Sequence, residues 1–475
     1  MYTILKQNIH IDCGAGPLRE TPRLSFEYLE EGMANHGEYL HLSKQFCDDY
    51  ETIVIGLGQQ SQLSSQRVKA CVAKGMKAIA YDKITTCGIH ITHLVEEYGL
   101  SIVDALVEGI MLGLYAPVSY KQTQEEPAYQ VFLCGIAPAM VQRVKQRTTY
   151  AKNLAESIIL TRNLVNMPAN YLTPTTFADI AKDIGQQEGF QVEVLEETEI
   201  ETLGMSALLT VGSSGSKRTR LIIMRYTGDP LGKTTTALVG KGITCDTGGY
   251  CLKPSQSMLG IKGDMAGGAT VLGVMRVLAK NQVKSNVIGV IPTCENRLSR
   301  ESYVPGDVIG SMSGKTIEII NTDAEGRLIL ADSLTYVQKK EKVDRVIDIA
   351  TLTGSIVSAL GFSTAGILSN DKGFAQDFLE AGKTGGEQYL QLPIYDEYRK
   401  LLESDIADIK NVGASYLGTI TAGIFLENFI QDIPWIHVDI AGTAWVDSPV
   451  FEYQAKGATG SSVTTLYHLF DSRNV

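Results

Sequence analysis

The interpretation of this 475-residue chain depends on one stretch, Asn321-Thr322-Asp323-Ala324-Glu325-Gly326-Arg327-Leu328. It follows an apolar β-type run at 316–320 and precedes 328–337, which reads as the start of a helix. In open α/β sheets, ligand groups collect on such strand-to-helix loops. Acids at alternate positions can point at one centre, and a neighbouring arginine adds a fixed anion site. Taken alone, the stretch also fits a surface turn.

A glycine-rich segment upstream adds two more acids and two lysines. It reads Lys241-Gly-Ile-Thr-Cys-Asp246-Thr-Gly-Gly-Tyr-Cys-Leu-Lys253-Pro254, comes after a strand-like run at 236–240, and is followed by Lys262-Gly-Asp264-Met-Ala-Gly-Gly. Hard divalent cations prefer oxygen ligands, and Zn²⁺ also accepts carboxylates. If one or two acids bridge, four suffice to hold two metal ions. The four acids of the two motifs are Asp246, Asp264, Asp323 and Glu325.

The distribution of histidine and cysteine narrows the type of metal site. None of the seven histidines lies between His93 and His437, and the eight cysteines form no CxxC pair. A histidine-based zinc site is therefore excluded in the motif region. If metal binds there, carboxylates hold it, helped by a neutral lysine. Such a lysine ligand is physically reasonable because an adjacent dication disfavours the ammonium form.

These motifs resemble the signature segments of the leucyl aminopeptidase family, the M17 cytosol aminopeptidases. The resemblance rests on KGITCDTGGYCLKP, IKGDMAGGA and above all NTDAEGRL. It extends in order from about residue 155 to about residue 470, and it includes the segments 164–174, 303–307, 348–354 and 435–445. Within the first 150 residues we recognise no motif of that family.

The resemblance implies a role for each motif residue. The tighter of two metal ions would be held by one lysine and three acids, namely Lys241, Asp246, Asp264 and Glu325. The looser ion would share two of these acids and add a third, so that its ligands are Asp246, Asp323 and Glu325. Lys253 and Arg327 would be catalytic without binding metal, and Thr351–Gly354 would line the substrate site. The family usually uses Zn²⁺, and Mn²⁺ or Mg²⁺ often substitutes at the looser site.

The implied function is release of N-terminal amino acids, of leucine type or other, from peptides with a free N-terminus. A water held between the two metals would attack the scissile carbonyl, and Lys253 would face the oxyanion that forms. Arg327 would bind a bicarbonate that shuttles the proton. From the residues alone, Arg327 is interpreted as a clamp for a substrate carboxylate, and this stays the second candidate role.

The sequence departs from the family pattern at three positions. Cys245 and Cys251 flank Asp246, where the family more often has Phe and a small or aliphatic residue. We interpret both as small apolar fillers, with soft metal contacts or redox-sensitive thiols as the alternative. Ile261 stands where many members place a methionine that lines the pocket for the first side chain. Leucine preference is therefore open, as is a specific dipeptide such as Cys-Gly.

Length and pattern predict an α/β chain of two domains, each a mixed or mostly parallel sheet flanked by helices. An uninterrupted helix at 139–165 contains the junction near residue 150. Residues 1–150 would form an N-terminal assembly or regulatory domain, and 151–475 the larger catalytic domain. Within the first domain, 52–57 and 77–81 read as buried strands, with a helix at 65–75 between them.

Composition restricts location and partners. The absence of a basic n-region and apolar h-region predicts no signal peptide, and polar residues interrupt the longest apolar stretch, 346–368. Scattered cysteines favour reduced thiols and therefore the cytoplasm. A net charge of −11 argues against a nucleic-acid surface. By resemblance we expect a homohexamer, a dimer of trimers.

Two other classes of function compete with a dinuclear aminopeptidase. A catalytically silent relative acting as a binding protein would be expected to lack a metal ligand or Lys253, yet all are present. A carboxylate-based phosphoryl hydrolase would need added phosphate contacts. The nearest candidate, Gly228-Asp-Pro-Leu-Gly-Lys-Thr234, is one residue short of a P-loop and precedes a strand instead of a helix.

Overall fold

The computed structural model describes residues 8–14, 21–29, 37–47, 50–122 and 127–471. Its two large sheets, each flanked by helices, confirm the predicted α/β class and two-part architecture. Among the described residues, no helix combines the length and apolarity needed to span a bilayer.

The N-terminal sheet has six strands in the order β1-β6-β5-β2-β4-β3. Its neighbours pair in parallel except β3, which runs antiparallel to β4 at the edge. The strands are β1 (Ile9–Cys13), β2 (Arg23–Tyr28), β3 (Leu42–Cys47), β4 (Tyr50–Gly58), β5 (Thr86–His90) and β6 (Tyr129–Cys134). The helices α1 (Ser65–Tyr81), α2 (Thr92–Tyr98) and α3 (Ile102–Gly113) accompany it.

The predicted strand at 77–81 is wrong, because α1 continues through it. Ser64 caps the helix by accepting a hydrogen bond from the Arg67 backbone N–H. Val72, Met76 and Ile79 are all buried, and their spacing of four and three residues is that of one helix face. Periodicity alone does not show whether a short apolar run is a buried strand or a segment of a buried helix. Here the run at 77–81 continues the apolar face of the preceding helix, so the chain stays helical.

One long helix, α4 (Val141–Asn166), joins the two parts of the chain, close to the predicted range. Near its start, Arg147 forms an ion pair with Asp104 of α3, in the N-terminal part. Near its end, the Arg162 guanidinium donates hydrogen bonds to the carbonyls of Thr459 and Tyr453, near the C-terminus. A single element is therefore anchored in both parts.

The second sheet has nine strands, eight of them in the order β16-β15-β18-β14-β9-β11-β8-β7, with β10 paired to β11. Its central strands β18, β14, β9, β11 and β10 pair in parallel. The strands are β7 (Gln191–Leu195), β8 (Arg220–Thr227), β9 (Thr235–Gly240), β10 (Gly242–Asp246), β11 (Asn286–Asn296), β14 (Arg345–Ala350), β15 (Thr364–Ser369), β16 (Gln388–Gln391) and β18 (Trp435–Asp439).

Apolar residues cover both faces of this sheet, because side chains alternate along each strand. Ile222 and Met224 of β8 pack into a core that continues under the N-terminal sheet, whereas Leu221 and Ile223 pack into a second core. The covering helices are α5 (Pro174–Glu188), α6 (Glu197–Thr202), α7 (Ser206–Gly212), α8 (Ala266–Lys280), α9 (Gly326–Tyr336), α10 (Gly354–Leu360), α11 (Lys372–Gly385), α12 (Asp396–Arg399), α13 (Gly418–Glu427) and α14 (Val463–Phe470).

The strand that leads into NTDAEGRL belongs to a separate small sheet. This sheet has the order β12-β13-β17, formed by Val308–Ile309, Ile317–Glu318 and Ile409–Lys410. The octapeptide therefore approaches the edge of the large sheet from outside it, and α9 begins within the motif at Gly326. A further pair, β19 (Trp445–Val446) and β20 (Gly457–Ala458), lies near the C-terminus.

Helix α8 packs closely against the large sheet at Gly267. A Cβ added at Gly267 would overlap the carbonyl oxygen of Ile349 in β14, where backbone cannot yield cheaply. Gly267→Ala should therefore lower the free energy of unfolding by about 1–3 kcal/mol, the usual cost of overpacking. Gly373→Ala, on the exposed side of α11 with only the Asp371 carboxylate nearby, is the control and should be neutral or slightly stabilising. Denaturant unfolding of both variants measures the difference, and equal stabilities would contradict the packing argument.

Candidate metal centre

The motif residues meet at the carboxyl ends of the parallel strands. Lys241 follows β9 and Asp246 ends β10, and both strands pair in parallel with β11. Thr351 follows β14, the other neighbour of β9. This edge of a parallel sheet is where α/β proteins place their ligand sites.

Lys241 connects Asp264 to Glu325. Its ammonium lies 2.7 Å from both carboxylate oxygens of Asp264 and 2.9 Å from Glu325 Oε1, and it donates to the Thr351 carbonyl at 3.1 Å. Gly326 makes this approach possible, because a Cβ there would lie 2.6 Å from Lys241 Nζ. The glycine after Glu325 is therefore a steric requirement of the site.

Lys253 connects the remaining two acids. Its ammonium lies 2.8 Å from Asp246 Oδ2 and 2.5 Å from Asp323 Oδ1. The other oxygen of Asp246 accepts hydrogen bonds from the Gly248 backbone N–H and from the Asn296 amide. The four acids and two lysines named from the sequence thus form one charge cluster.

Three of the carboxylates form a group of the kind that holds a metal ion. Oxygens of Asp246, Asp323 and Glu325 lie within 4.8 Å of one another. The Glu325 Oε2 atom is buried and has no hydrogen-bond partner among the described residues. A buried carboxylate oxygen without a donor is costly unless a cation satisfies it. Asp264 lies outside this group and connects to it through Lys241.

Charge crowding perturbs the pKa of every member of the cluster. Burial, reinforced by neighbouring carboxylates, raises the pKa of Asp246 to about 6. Burial also raises the pKa of Asp264 and of Asp323. Burial opposes the charge of Lys241, but the carboxylates of Asp264 and Glu325 outweigh it and raise its pKa. The two lysines are therefore the counter-ions of the acids when only protein groups are present.

Access to the cluster is one-sided. The side chains of Lys241 and Glu325 are 4% and 1% exposed, whereas those of Lys253 and Asp323 are 22% and 33% exposed. Solvent and small molecules therefore reach the site past Asp323 and Lys253. Tyr250 and Leu252 are also exposed in the same loop.

Arg327 lies in the first turn of α9 and is buried. Its Nη1 atom donates to the Asn411 carbonyl oxygen at 2.7 Å, and its Nε atom has no hydrogen-bond partner among the residues that the structure describes. Burial lowers the pKa of the guanidinium to about 10, which Glu325 and Asp439 partly offset. The group therefore retains its charge at neutral pH and has a donor to spare.

Sequence reasoning missed two polar residues, Asn296 and Asn411, that hydrogen-bond to the acidic side chains or to the turn that carries them. Thr351 was predicted only as part of the segment that lines the substrate site. Asn296 donates to Asp246 Oδ1 and to the Thr322 carbonyl, and the Thr351 hydroxyl donates to Asp264 Oδ1. Asn411 contacts the backbone of the NTDAEGRL turn. Asn296 could have been found, because it is the polar end of a long apolar strand. Asn411, in a polar loop, gives no such signal.

The three departures from the family pattern lie at or beside the cluster. Cys245 is buried in β10, and burial raises the pKa of its thiol, as fits an apolar filler. Cys251 is half-buried, and its backbone N–H donates to the Thr322 hydroxyl. Ile261 lies in a 3₁₀ segment, Ser255–Gly263, that leads directly to Asp264. Its effect on substrate preference stays a prediction.

The chain is similar to known proteins along most of its length. Residues 159–467 match the description "Cytosol aminopeptidase family, catalytic domain", and residues 43–124 match the N-terminal domain of the same family. A probable cytosol aminopeptidase of Clostridium perfringens is 41% identical over 450 residues, which cover 94% of this chain and 91% of the relative. One from Clostridium tetani is 38% identical, covering 94% and 92%. A solved structure, "Bottromycin maturation enzyme BotP in complex with Mn", has a TM-score of 0.87 at 29% identity, covering 96% of this chain and all of that one.

These similarities define the class as hydrolases that remove terminal residues from peptides with the help of a metal ion. The chain belongs to the cytosol aminopeptidase family.

Glu325 is the most deeply buried acid of the cluster, and we expect its charge to affect metal affinity strongly. Glu325→Gln removes the charge at the centre of the cluster and should weaken Mn²⁺ binding more than 100-fold, since losing only an outer hydrogen-bond partner of a ligand costs about 10- to 100-fold. Glu295→Gln is the matched control, because Glu295 is equally buried but bonds to Ser216 instead of the cluster. Isothermal titration calorimetry of both variants provides the comparison. Equal affinities in the two variants would remove Glu325 from the metal site.

Proposed function

We propose that this chain is an aminopeptidase that holds two divalent ions, Zn²⁺ or Mn²⁺ with Mg²⁺ as a substitute. The observation that carries the proposal is the convergence of three carboxylates within 4.8 Å around the donor-free Glu325 Oε2. Carboxylate oxygens gathered in this way are the ligands that hard divalent cations take. The ligands of the tighter ion would be Lys241, Asp246, Asp264 and Glu325, and those of the looser ion Asp246, Asp323 and Glu325.

The exposure of the cluster supports this division into two sites. Asp323, which serves the looser ion alone, is the most exposed of the acids, and Lys241 and Glu325 are almost fully buried. An ion on the open side exchanges more easily. For Lys241 to act as a ligand it must be neutral, and a dication between the carboxylates would favour that form by repelling the ammonium.

When bound, the metal pair would supply Lewis acidity and a water of lowered pKa. Protein side chains would provide the other contributions to the reaction. Lys253, held at the open side by Asp246 and Asp323, keeps its ammonium form because burial is outweighed by the surrounding carboxylates. Its positive charge would stabilise the negative charge that develops on the carbonyl oxygen of the scissile bond.

Arg327 would bind an anion next to the reacting groups. Its guanidinium is buried, charged and left with the Nε–H unused by the described residues. Arg327 would hold a bicarbonate there, and the bound anion would supply the proton-transfer chemistry for which the site offers no evident side-chain general base. A substrate carboxylate is the competing ligand, and omission of bicarbonate from the assay distinguishes the two.

The substrate class is tested with a panel of aminoacyl-p-nitroanilides in Zn²⁺, in Mn²⁺ and after chelation. We expect metal-dependent release from substrates with a free amine and none from N-acetylated controls, because the free amine is part of the recognised group. The order of rates across the panel reports the pocket beside Ile261. Activity that survives complete chelation would contradict the proposal. Activity on one dipeptide alone would narrow the substrate class without removing the metal chemistry.

The role of Lys253 is tested separately. Lys253→Ala should leave Mn²⁺ content unchanged and lower kcat by roughly 100- to 1,000-fold, the scale for losing one oxyanion partner. Lys253→Arg, which keeps the charge, should recover part of the rate. A full kcat with normal metal content in Lys253→Ala would show that the assigned role is wrong.

Assembly and location follow from the family alone. We propose a homohexamer, a dimer of trimers, in the cytoplasm, with residues 1–150 serving assembly or regulation and 151–475 catalysis. Relatives are named as cytosol aminopeptidases, which supports the location. Light scattering on the purified protein gives the mass in solution, and about six times 51.6 kDa is the expected result.

A further inference from the structure

Asn411 lies where the ends of two neighbouring strands, β13 and β17, come together. It follows β17 directly and is fully buried. β13 and β17 pair in parallel, with Glu318 opposite Lys410, and the Asn411 N–H donates to the Glu318 carbonyl. The Asn411 side chain therefore lies beside Ile320 and Asn321, where the acidic turn begins.

The side-chain amide of Asn411 is saturated by this turn. Its Oδ1 accepts hydrogen bonds from the backbone N–H groups of Ile320 at 2.8 Å and Asn321 at 3.3 Å. Its Nδ2 donates to the carbonyl oxygens of Asn321 at 2.7 Å and Ala324 at 3.5 Å. An amide offers two acceptor sites and two donors, so its whole capacity is used on one segment.

The backbone of Asn411 holds the other end of the motif. Its carbonyl oxygen accepts from Arg327 Nη1 at 2.7 Å. One residue thus contacts the chain before Asp323, between Asp323 and Glu325, and at Arg327. Among the described residues Asn411 forms these hydrogen bonds with backbone groups and with Arg327, and both carboxylates belong to the backbone segment that it holds.

We propose that Asn411 is the positioning residue of the acidic turn, setting Asp323 and Glu325 for metal binding and Arg327 for its anion. This inference rests on the proposed function for the identity of what is bound. Ligand carboxylates need a support that fixes their direction, and partners of that kind affect affinity nearly as strongly as the ligands themselves.

Only an amide satisfies all four backbone groups. An aspartate would direct a carboxylate oxygen at the carbonyls of Asn321 and Ala324, which repel it, while retaining the acceptor for Ile320 and Asn321. An aliphatic residue of the same size would leave buried donors and acceptors unpaired. Asn411→Asp is therefore the smallest change that releases one side of the turn.

Asn281 provides the matched control. It is also buried, and its amide joins the Tyr150 carbonyl, the Tyr467 hydroxyl and Asn153, none of them among the proposed site residues. Asn281→Asp should lower the unfolding midpoint and leave the site unchanged. A comparison of the two variants separates support of the site from support of the fold.

The experiment is calorimetric titration of the full-length apoprotein with Mn²⁺, together with steady-state kinetics and thermal unfolding. We expect Asn411→Asp to bind Mn²⁺ about 10- to 100-fold more weakly and to lose kcat by a similar factor. Asn281→Asp should match wild type in both. If Asn411→Asp does not fold, Asn411→Ser, which keeps a hydroxyl donor, replaces it with the same expectation.

Three results would overturn the inference. One is wild-type Mn²⁺ affinity and kcat in a folded Asn411 variant. Another is an equal loss of affinity in Asn281→Asp, and the third is failure of both Asn411 variants to fold while Asn281→Asp folds, which would assign Asn411 to the fold alone. Metal affinity is measured without substrate. A wild-type protein that binds Mn²⁺ but cleaves no peptide would therefore contradict the proposed function and leave this test intact.

Discussion

Mutual repulsion among four carboxylates is the constraint on which the rest of this structure depends. Asp246, Asp264, Asp323 and Glu325 lie in one buried cluster, and such groups cannot all ionise without opposite charge beside them. Two lysines supply that charge from within the chain, each lying between two acids. The arrangement gathers four carboxylates at one place in the fold, and carboxylate oxygens are the ligands that divalent cations take.

Much of the surrounding fold can be understood as support for this cluster. Parallel strands bring their carboxyl ends to one edge, so Lys241 and Asp246 start out as neighbours. A glycine at 326 lets the lysine reach across the start of α9. Asn296 and Thr351 then donate to the acids and fix their orientation. Rigid elements place the groups, and neutral polar side chains adjust them.

The sequence predicted which charged side chains come together better than it predicted the elements that carry them. Acids and lysines in short glycine-rich motifs can be recognised without knowledge of the fold, and the structure places them together. The helical continuation at 77–81 escaped prediction because short apolar runs look alike in strands and helices. The small sheet that carries NTDAEGRL escaped because its strands are two residues long. Asn411 depends on pairing between distant segments, which no local pattern reports.

The helix α4 has a mechanical consequence for the whole molecule. Its 26 residues span about 39 Å without interruption, and ion pairs or hydrogen bonds anchor it at both ends. Two domains joined by a loose linker would pivot independently. A continuous helical rod with contacts in both parts instead opposes such pivoting, because rotation of one part would break the contacts that the rod makes in the other. Asn166, the last residue of that rod, accepts a hydrogen bond from Lys262, two positions before Asp264.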